Sequence, residues 1–258
     1  MVRRKPDMSE VDSYAAGIAL YRCGRHQQAL ARFSCLEGRE DLIGNLARFY
    51  AGLSHRALGI EAMRRGEFAP AEQHLRAAAR ILGPEADLTS YLAAIYANTG
   101  RYRACATEME RAADHKEAPA QTWRKLAQAQ WRAGRRAEAY MTLNAALRRF
   151  DGSAELNMQL ALFYAAEERF EDAHQCFRAA VDADCTNPDA HCYLGLSAAA
   201  QGAVLTAAQS LQRAFELRPQ DLMLALQLAL AAKAAAENGC PLVLRLPEPA
   251  PTPAARER

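Results

Sequence analysis

Apolar and polar positions along this chain recur with the period of an α-helix, in runs broken by glycine. The run LTSYLAAIYANTG puts Leu88, Leu92, Ile95 and Tyr96 on one face, and RYRACATEMERAA does the same with Tyr102, Cys105, Met109 and Ala112. Two amphipathic helices therefore flank Gly100, and glycine readily takes the left-handed conformation that ends a helix. Gly66, Gly100 and Gly134 are spaced by 34 residues; Gly202 lies two such periods beyond Gly134, with Glu168 at the position between. Gly24 precedes Gly66 by 42, one period plus eight. A fixed period of this size predicts a stack of helical hairpins. Pro188 and Pro219 fall in turns, and Pro70 near the start of a second helix, where its missing N–H does little harm. Half of the 258 residues are hydrophobic, yet only 7% are aromatic. Alanine and leucine dominate and β-branched residues are scarce, which favours an all-α fold.

The register extends to individual positions. Ala71, Cys105, Ala139, Ala173 and Ala207 hold a small position in each second helix, and Leu75, Met109, Leu143, Phe177 and Leu211 a large one four residues on. First helices carry Leu92-Ala93 with Tyr96, Trp123-x-x-Leu126-Ala127, Leu160-Ala161 with Tyr164, and Leu194-Gly195. Gly17, Gly24, Ala29 and Phe33 occupy the same places in an earlier unit. These units resemble tetratricopeptide (TPR) repeats, each a helix–turn–helix. The resemblance implies a right-handed superhelix of about six repeats, at about 10–43, 52–85, 86–119, 120–153, 154–187 and 188–221, within a solenoid over 10–239. A capping helix would follow at 222–238, with a flexible basic N-terminus at 1–9 and a proline-rich tail at 240–258. The sequence departs from the pattern in two ways. Eight extra residues, GNLARFYA, suggest that the second unit's first helix starts two turns early, and Gln130 and Ala198 replace the usual tyrosine.

Candidate chemistry is sparse. His174, Cys176, Cys185, His191 and Cys192 fall within 19 residues. The repeat register separates them, with Cys176 on a second helix, Cys185 in a turn and Cys192 on the next first helix. Zinc needs convergent ligands, so no metal is expected here. Seven cysteines without a tight CxxC pair point to reduced thiols in a cytoplasmic setting, and a reactive thiol at Cys192, if exposed, has no adjacent base to support it. The Glu167-Glu168 carboxylates diverge on a helix and read as a solvated turn. No GxSxG, P-loop or dinucleotide glycine motif appears, and alanine-rich helices offer no enclosed pocket. Neither an enzyme nor a cofactor is implied. The basic start lacks the apolar core of a secretory signal, and no uncharged run is long enough to span a membrane.

The TPR resemblance implies that first helices line a concave groove which binds partners. The inward positions expected there are Arg56, Arg64, Tyr91, Asn98, Arg124, Lys125, Gln128, Trp131, Arg132, Met158 and Gln159. Such a groove suits an extended or helical segment of another protein, acidic or aromatic in character. Residues 121–150 carry a net +6 and residues 155–189 a net −6. These blocks either neutralise one another or frame a ligand site, and the acidic block disfavours a phosphate track for nucleic acid. The chaperone-tail clamp of some TPR proteins is also disfavoured, because Tyr14, Ile18 and Ala57 stand where that clamp has Lys and Asn. The helix LMLALQLALAAKAAA carries Leu222, Leu226 and Leu230 with few polar residues to cover them. They would be covered by Leu242–Leu246 folding back, by a second copy or by another protein. The reading is a non-catalytic protein-interaction scaffold or adaptor. Its rivals are a homo-oligomeric assembly scaffold and an accessory factor of a secretion or pilus-type machine or of an enzyme complex.

Overall fold

The computed structural model describes residues 8–83, 85–115 and 117–239. The expectations for the N-terminal stretch up to residue 7, the proline-rich tail and the Leu242–Leu246 fold-back lie outside the described residues. Among the described residues there are thirteen helices and no strand: α1 (Met8–Arg22), α2 (His26–Ser34), α3 (Leu42–Arg64), α4 (Phe68–Leu82), α5 (Ala86–Asn98), α6 (Tyr102–Ala113), α7 (Ala120–Arg132), α8 (Arg136–Arg149), α9 (Ala154–Ala166), α10 (Phe170–Ala183), α11 (Pro188–Ala200), α12 (Val204–Leu217) and α13 (Leu222–Glu237). The chain divides into two compact units, Met1–Ala139 and Tyr140–Arg258, with the division inside α8.

One turn recurs in every hairpin. At Gly100 the helix ends with φ +73°; the Gly100 N–H reaches the Ala97 carbonyl at 3.3 Å and the Arg101 N–H reaches Tyr96 at 2.8 Å. These two bonds satisfy carbonyls that the end of α5 would otherwise leave open. The same pair closes α1 at Gly24, α3 at Gly66, α7 at Gly134 and α11 at Gly202. It also closes α9 at Glu168, which takes φ +60° without being glycine. Hydrogen bonding thus imposes the left-handed conformation at this position whatever residue occupies it.

Packing follows the small-and-large register. The small position is at most 6% exposed in all six second helices, from Ala29 to Ala207, and the large one at most 3%, from Phe33 to Leu211. First helices approach closely where they carry glycine. A Cβ on Gly59 would sit 2.6 Å from Leu75, and one on Gly195 2.8 Å from Leu211. In the first unit, one apolar cluster joins α1, α2 and α3 around Phe33, Leu36 and Ala51, and another runs from α3 to α7 through Leu75, Leu88, Ile95 and Met109. In the second unit, Ala161, Ala173, Phe177 and Leu194 form one cluster, and Leu211, Phe215, Leu224 and Leu228 another.

The eight extra residues are absorbed into α3, which runs 23 residues where α5, α7, α9 and α11 have 13 each. Its early start is fixed locally. The Asp41 carboxylate accepts the Gly44 N–H at 3.0 Å, and Arg39 binds the same carboxylate. The Arg39 guanidinium and the Gly44 N–H hold Asp41 at a pKa of about 2. Pro188 belongs to α11 rather than to the preceding turn. It is the first helical residue, after Asn187, whose side chain caps Asp189 and Ala190.

Candidate functional site

In the first unit the helices α5 and α7 lie side by side with α6 behind them, and a cavity of about 290 Å³ opens between them. Its floor is apolar and built from the small Ala93 and Ala97 of α5, Ala129 of α7 and Cys105 of α6, with the larger Met109 of α6 beside them. Its rim is polar and carries Asn98, Lys125, Gln128 and Arg132. None of the lining residues is Asp or Glu. It is an open recess on the helix surface rather than an enclosed pocket. Alanines at consecutive first-helix positions remove the side-chain volume that would fill the space.

The rim is partly organised. The Arg132 guanidinium lies 5.5 Å from the centre of the Tyr102 ring and its Nη1 donates to the Tyr102 hydroxyl at 3.4 Å. The cation is thus held over the cavity wall while its outer edge faces solvent. Asn98 Nδ2 donates to the Ala94 carbonyl at 2.8 Å, which orients its amide on the first-helix face. Burial pushes the Cys105 thiol up, an effect that Arg132 partly offsets. Cys105 therefore acts as a neutral, weakly polar part of the floor.

The other expected groove residues fare differently. Arg56 forms ion pairs with Glu85 at 3.4 Å and Asp87 at 3.1 Å and acts as a strut between α3 and the start of α5. Arg64 is exposed at the end of α3, and Tyr91 is half-buried against the apolar cluster. Arg124 is half-buried and does not line the cavity. Trp131 does not line it either; the Arg136 guanidinium sits 5.1 Å from its ring centre. In the second unit, Met158 accepts an Asn187 amide contact at 3.7 Å, whereas Gln159 is only 7% exposed and offers little surface. Of the charged blocks, Arg135 is paired with Glu110 at 3.0 Å and with Glu138, so it is neutralised locally.

The cysteine–histidine stretch disperses. His174 meets Ser197 at 3.0 Å, His191 Nε2 meets the Cys185 carbonyl at 3.0 Å, and Cys192 donates to Gln227 at 3.4 Å. Burial pushes the Cys176 thiol up to about 11 and raises Cys192 as well, so neither is poised as a thiolate. Among the described residues no group of three or more His, Cys, Asp or Glu could hold a metal ion, and no helix is long and apolar enough to cross a membrane. Glu167 accepts the Tyr140 hydroxyl at 2.9 Å, so it is not simply a solvated turn residue.

Sequence reasoning missed the cavity floor supplied by α6. It also missed a histidine pair, His55 on α3 and His74 on α4, whose Nδ1 atoms lie 2.9 Å apart. Their 5.2 Å ring separation fits two rings meeting nitrogen to nitrogen, one donating and one accepting. A polar recess of about 410 Å³ adjoins His74 between the Gly24 and Gly66 turns.

No protein-family model matches the chain, and no curated protein does. Solved structures do. A tetratricopeptide repeat protein from Parabacteroides merdae is 16% identical with a TM-score of 0.58, over 73% of this chain and 75% of that one. MamA from Desulfovibrio magneticus, residues 41 to the end, is 22% identical with a TM-score of 0.55, over 66% of this chain and 97% of that one. YrrB, described as a TPR protein with an unusual peptide-binding site, is 18% identical with a TM-score of 0.51, over 69% and 92%. The fold is that of TPR proteins.

Proposed function

We propose that this TPR-fold chain is a non-catalytic adaptor that holds a segment of another protein against α5 and α7, with an apolar side chain of that segment in the cavity and acidic residues beside it. The cavity itself carries this reading, with its apolar, mostly small-residue floor and its rim of Lys125, Arg132, Asn98 and Gln128, free of carboxylates. An apolar anchor in a pocket supplies affinity, and charge-assisted contacts at its edge supply orientation and partner choice. The likeness to YrrB, described as having a peptide-binding site, is in keeping with such a role. No chemical step is assigned, because burial raises the thiols of Cys105, Cys176 and Cys192 away from nucleophilic use. Exposed free Cys23, Cys35 and Cys185 suit a reducing compartment such as the cytoplasm.

The test is selection of random peptides displayed on phage against the wild-type chain, followed by fluorescence polarisation with the enriched peptides. Enriched sequences should combine Leu, Met or Phe with flanking Asp or Glu. Lys125→Glu with Arg132→Glu should weaken their binding at least about tenfold, while Arg56→Glu, on the strut, should leave it within about twofold. Enrichment of basic peptides, or equal binding by the double variant, would refute the reading.

A further inference from the structure

α13, the last helix among the described residues, turns a row of large apolar side chains to solvent. Leu222, Leu226 and Leu230 are 84, 54 and 60% exposed and Met223 is 63% exposed. A spacing of four sets the three leucines in one row along α13. The opposite face is already used, with Leu224 and Leu228 packed on Leu211, Ala214 and Phe215 of α12. The repeat register explains what the free row is for. One period back, Leu226 corresponds to Cys192, and two periods back to Met158. Those two side chains are where one first helix meets the next. Cys192 reaches Gln227 of α13 at 3.4 Å, and Met158 reaches Asn187 at the head of α11 at 3.7 Å. Leu226 thus occupies the position that meets a succeeding helix, and among the described residues none succeeds α13.

We propose that the succeeding helix is α13 of a second copy, packed antiparallel across a two-fold axis at Leu226. The row is symmetric about that residue, so an antiparallel pair sets Leu222 of one copy against Leu230 of the other, as an isologous contact requires. Rows at a spacing of four interdigitate with helices crossed at about −50°. Ala225, Ala229 and Ala232 flank the row and leave grooves for the facing leucines. The ends are charge-balanced in the same arrangement. Each end already carries a self-neutral ion pair, Lys233–Glu237 at one and Arg218–Asp221 at the other, and the antiparallel arrangement turns these unlike ends toward each other. A parallel pair would instead set Lys233 against Lys233. With four large side chains per copy, the interface falls at the small end of stable dimers, and association should be concentration-dependent near the micromolar range. The contact is separate from the α5–α7 cavity.

Light scattering and sedimentation of the full chain test this over about 1 to 200 µM. A dimer should grow with concentration and vanish in Leu226→Glu with Leu230→Glu, with the circular dichroism unchanged. A second readout does not depend on introducing charge. In a background with Cys23, Cys35, Cys185 and Cys240 changed to Ser, Leu226→Cys should oxidise to a disulfide-linked dimer, whereas Ala236→Cys, exposed but off the axis, should not. A monomer throughout would overturn the proposal and leave the row to residues 240–258 or to a different protein. A dimer that survives the double Glu variant, or cross-links as readily through Ala236→Cys, would overturn it too.

Discussion

Replacing Glu168 by glycine should stabilise the second unit. Glu168 occupies the turn position that glycine fills in the other five hairpins, at φ +60° and with the same two closing hydrogen bonds. Its side chain is exposed and has no hydrogen bond or ion pair among the described residues, so removing it forfeits no contact. Left-handed geometry costs an L-residue roughly 1–2 kcal/mol. Against this, glycine makes the unfolded chain more flexible, which returns roughly 0.5–1 kcal/mol. The net gain is about 0.5–1 kcal/mol. With a urea slope of about 2–3 kcal/mol/M, the far-UV circular dichroism midpoint should rise by about 0.2–0.5 M. Glu168→Ala separates the causes: alanine keeps the backbone penalty and removes the charge, so its midpoint should stay near wild type. Gly100→Ala supplies the converse, because a Cβ there meets nothing within 4 Å and its cost of about 1 kcal/mol is conformational alone. An unchanged or lower midpoint for Glu168→Gly, or an equal gain from Glu168→Ala, would refute the argument.

Gly195→Val should destabilise by about 2–3 kcal/mol, since even a Cβ would lie 2.8 Å from Leu211 and 3.0 Å from the Ala207 carbonyl; chemical denaturation would measure it. The His55–His74 pair should make stability fall in acid. Burial lowers both pKa values, so the unfolded chain binds protons that the folded one resists as pH drops below the ordinary histidine value of about 6.5. The urea midpoint should therefore be lower near pH 5.5 than near pH 7.5, and a His55→Gln, His74→Gln double variant should flatten that dependence.

The repeat register was legible because it depends on backbone geometry and side-chain size. A helix end that needs a left-handed residue and a contact that admits only a small side chain both leave marks at fixed intervals. Four rim residues, Asn98, Lys125, Gln128 and Arg132, were legible for the same reason, since helical period alone sets which first-helix positions share a face. The floor was not legible. Cys105 and Met109 look like any other core pair, and they border a cavity only because Ala93, Ala97 and Ala129 leave space above them. The ion pairs of Arg56 were not legible, because its partners, Glu85 and Asp87, lie about thirty residues ahead across a hairpin. The Arg136 guanidinium of the next helix beside the Trp131 ring was not legible either, since it depends on how the hairpin closes.

The contacts of this fold are local in sequence. They join the successive helices of α1 to α7 and of α9 to α13 or, as for α1 with α3 and α3 with α5, an element to the next but one. No described helix waits for a distant described segment before it can pack, which favours rapid folding. On a ribosome, each hairpin within a unit can close on the one before it as soon as it leaves the exit tunnel, and nascent apolar surface stays limited to about one repeat. Among the described residues α13 is the last helix to emerge, and no later described helix arrives to cover its leucine row.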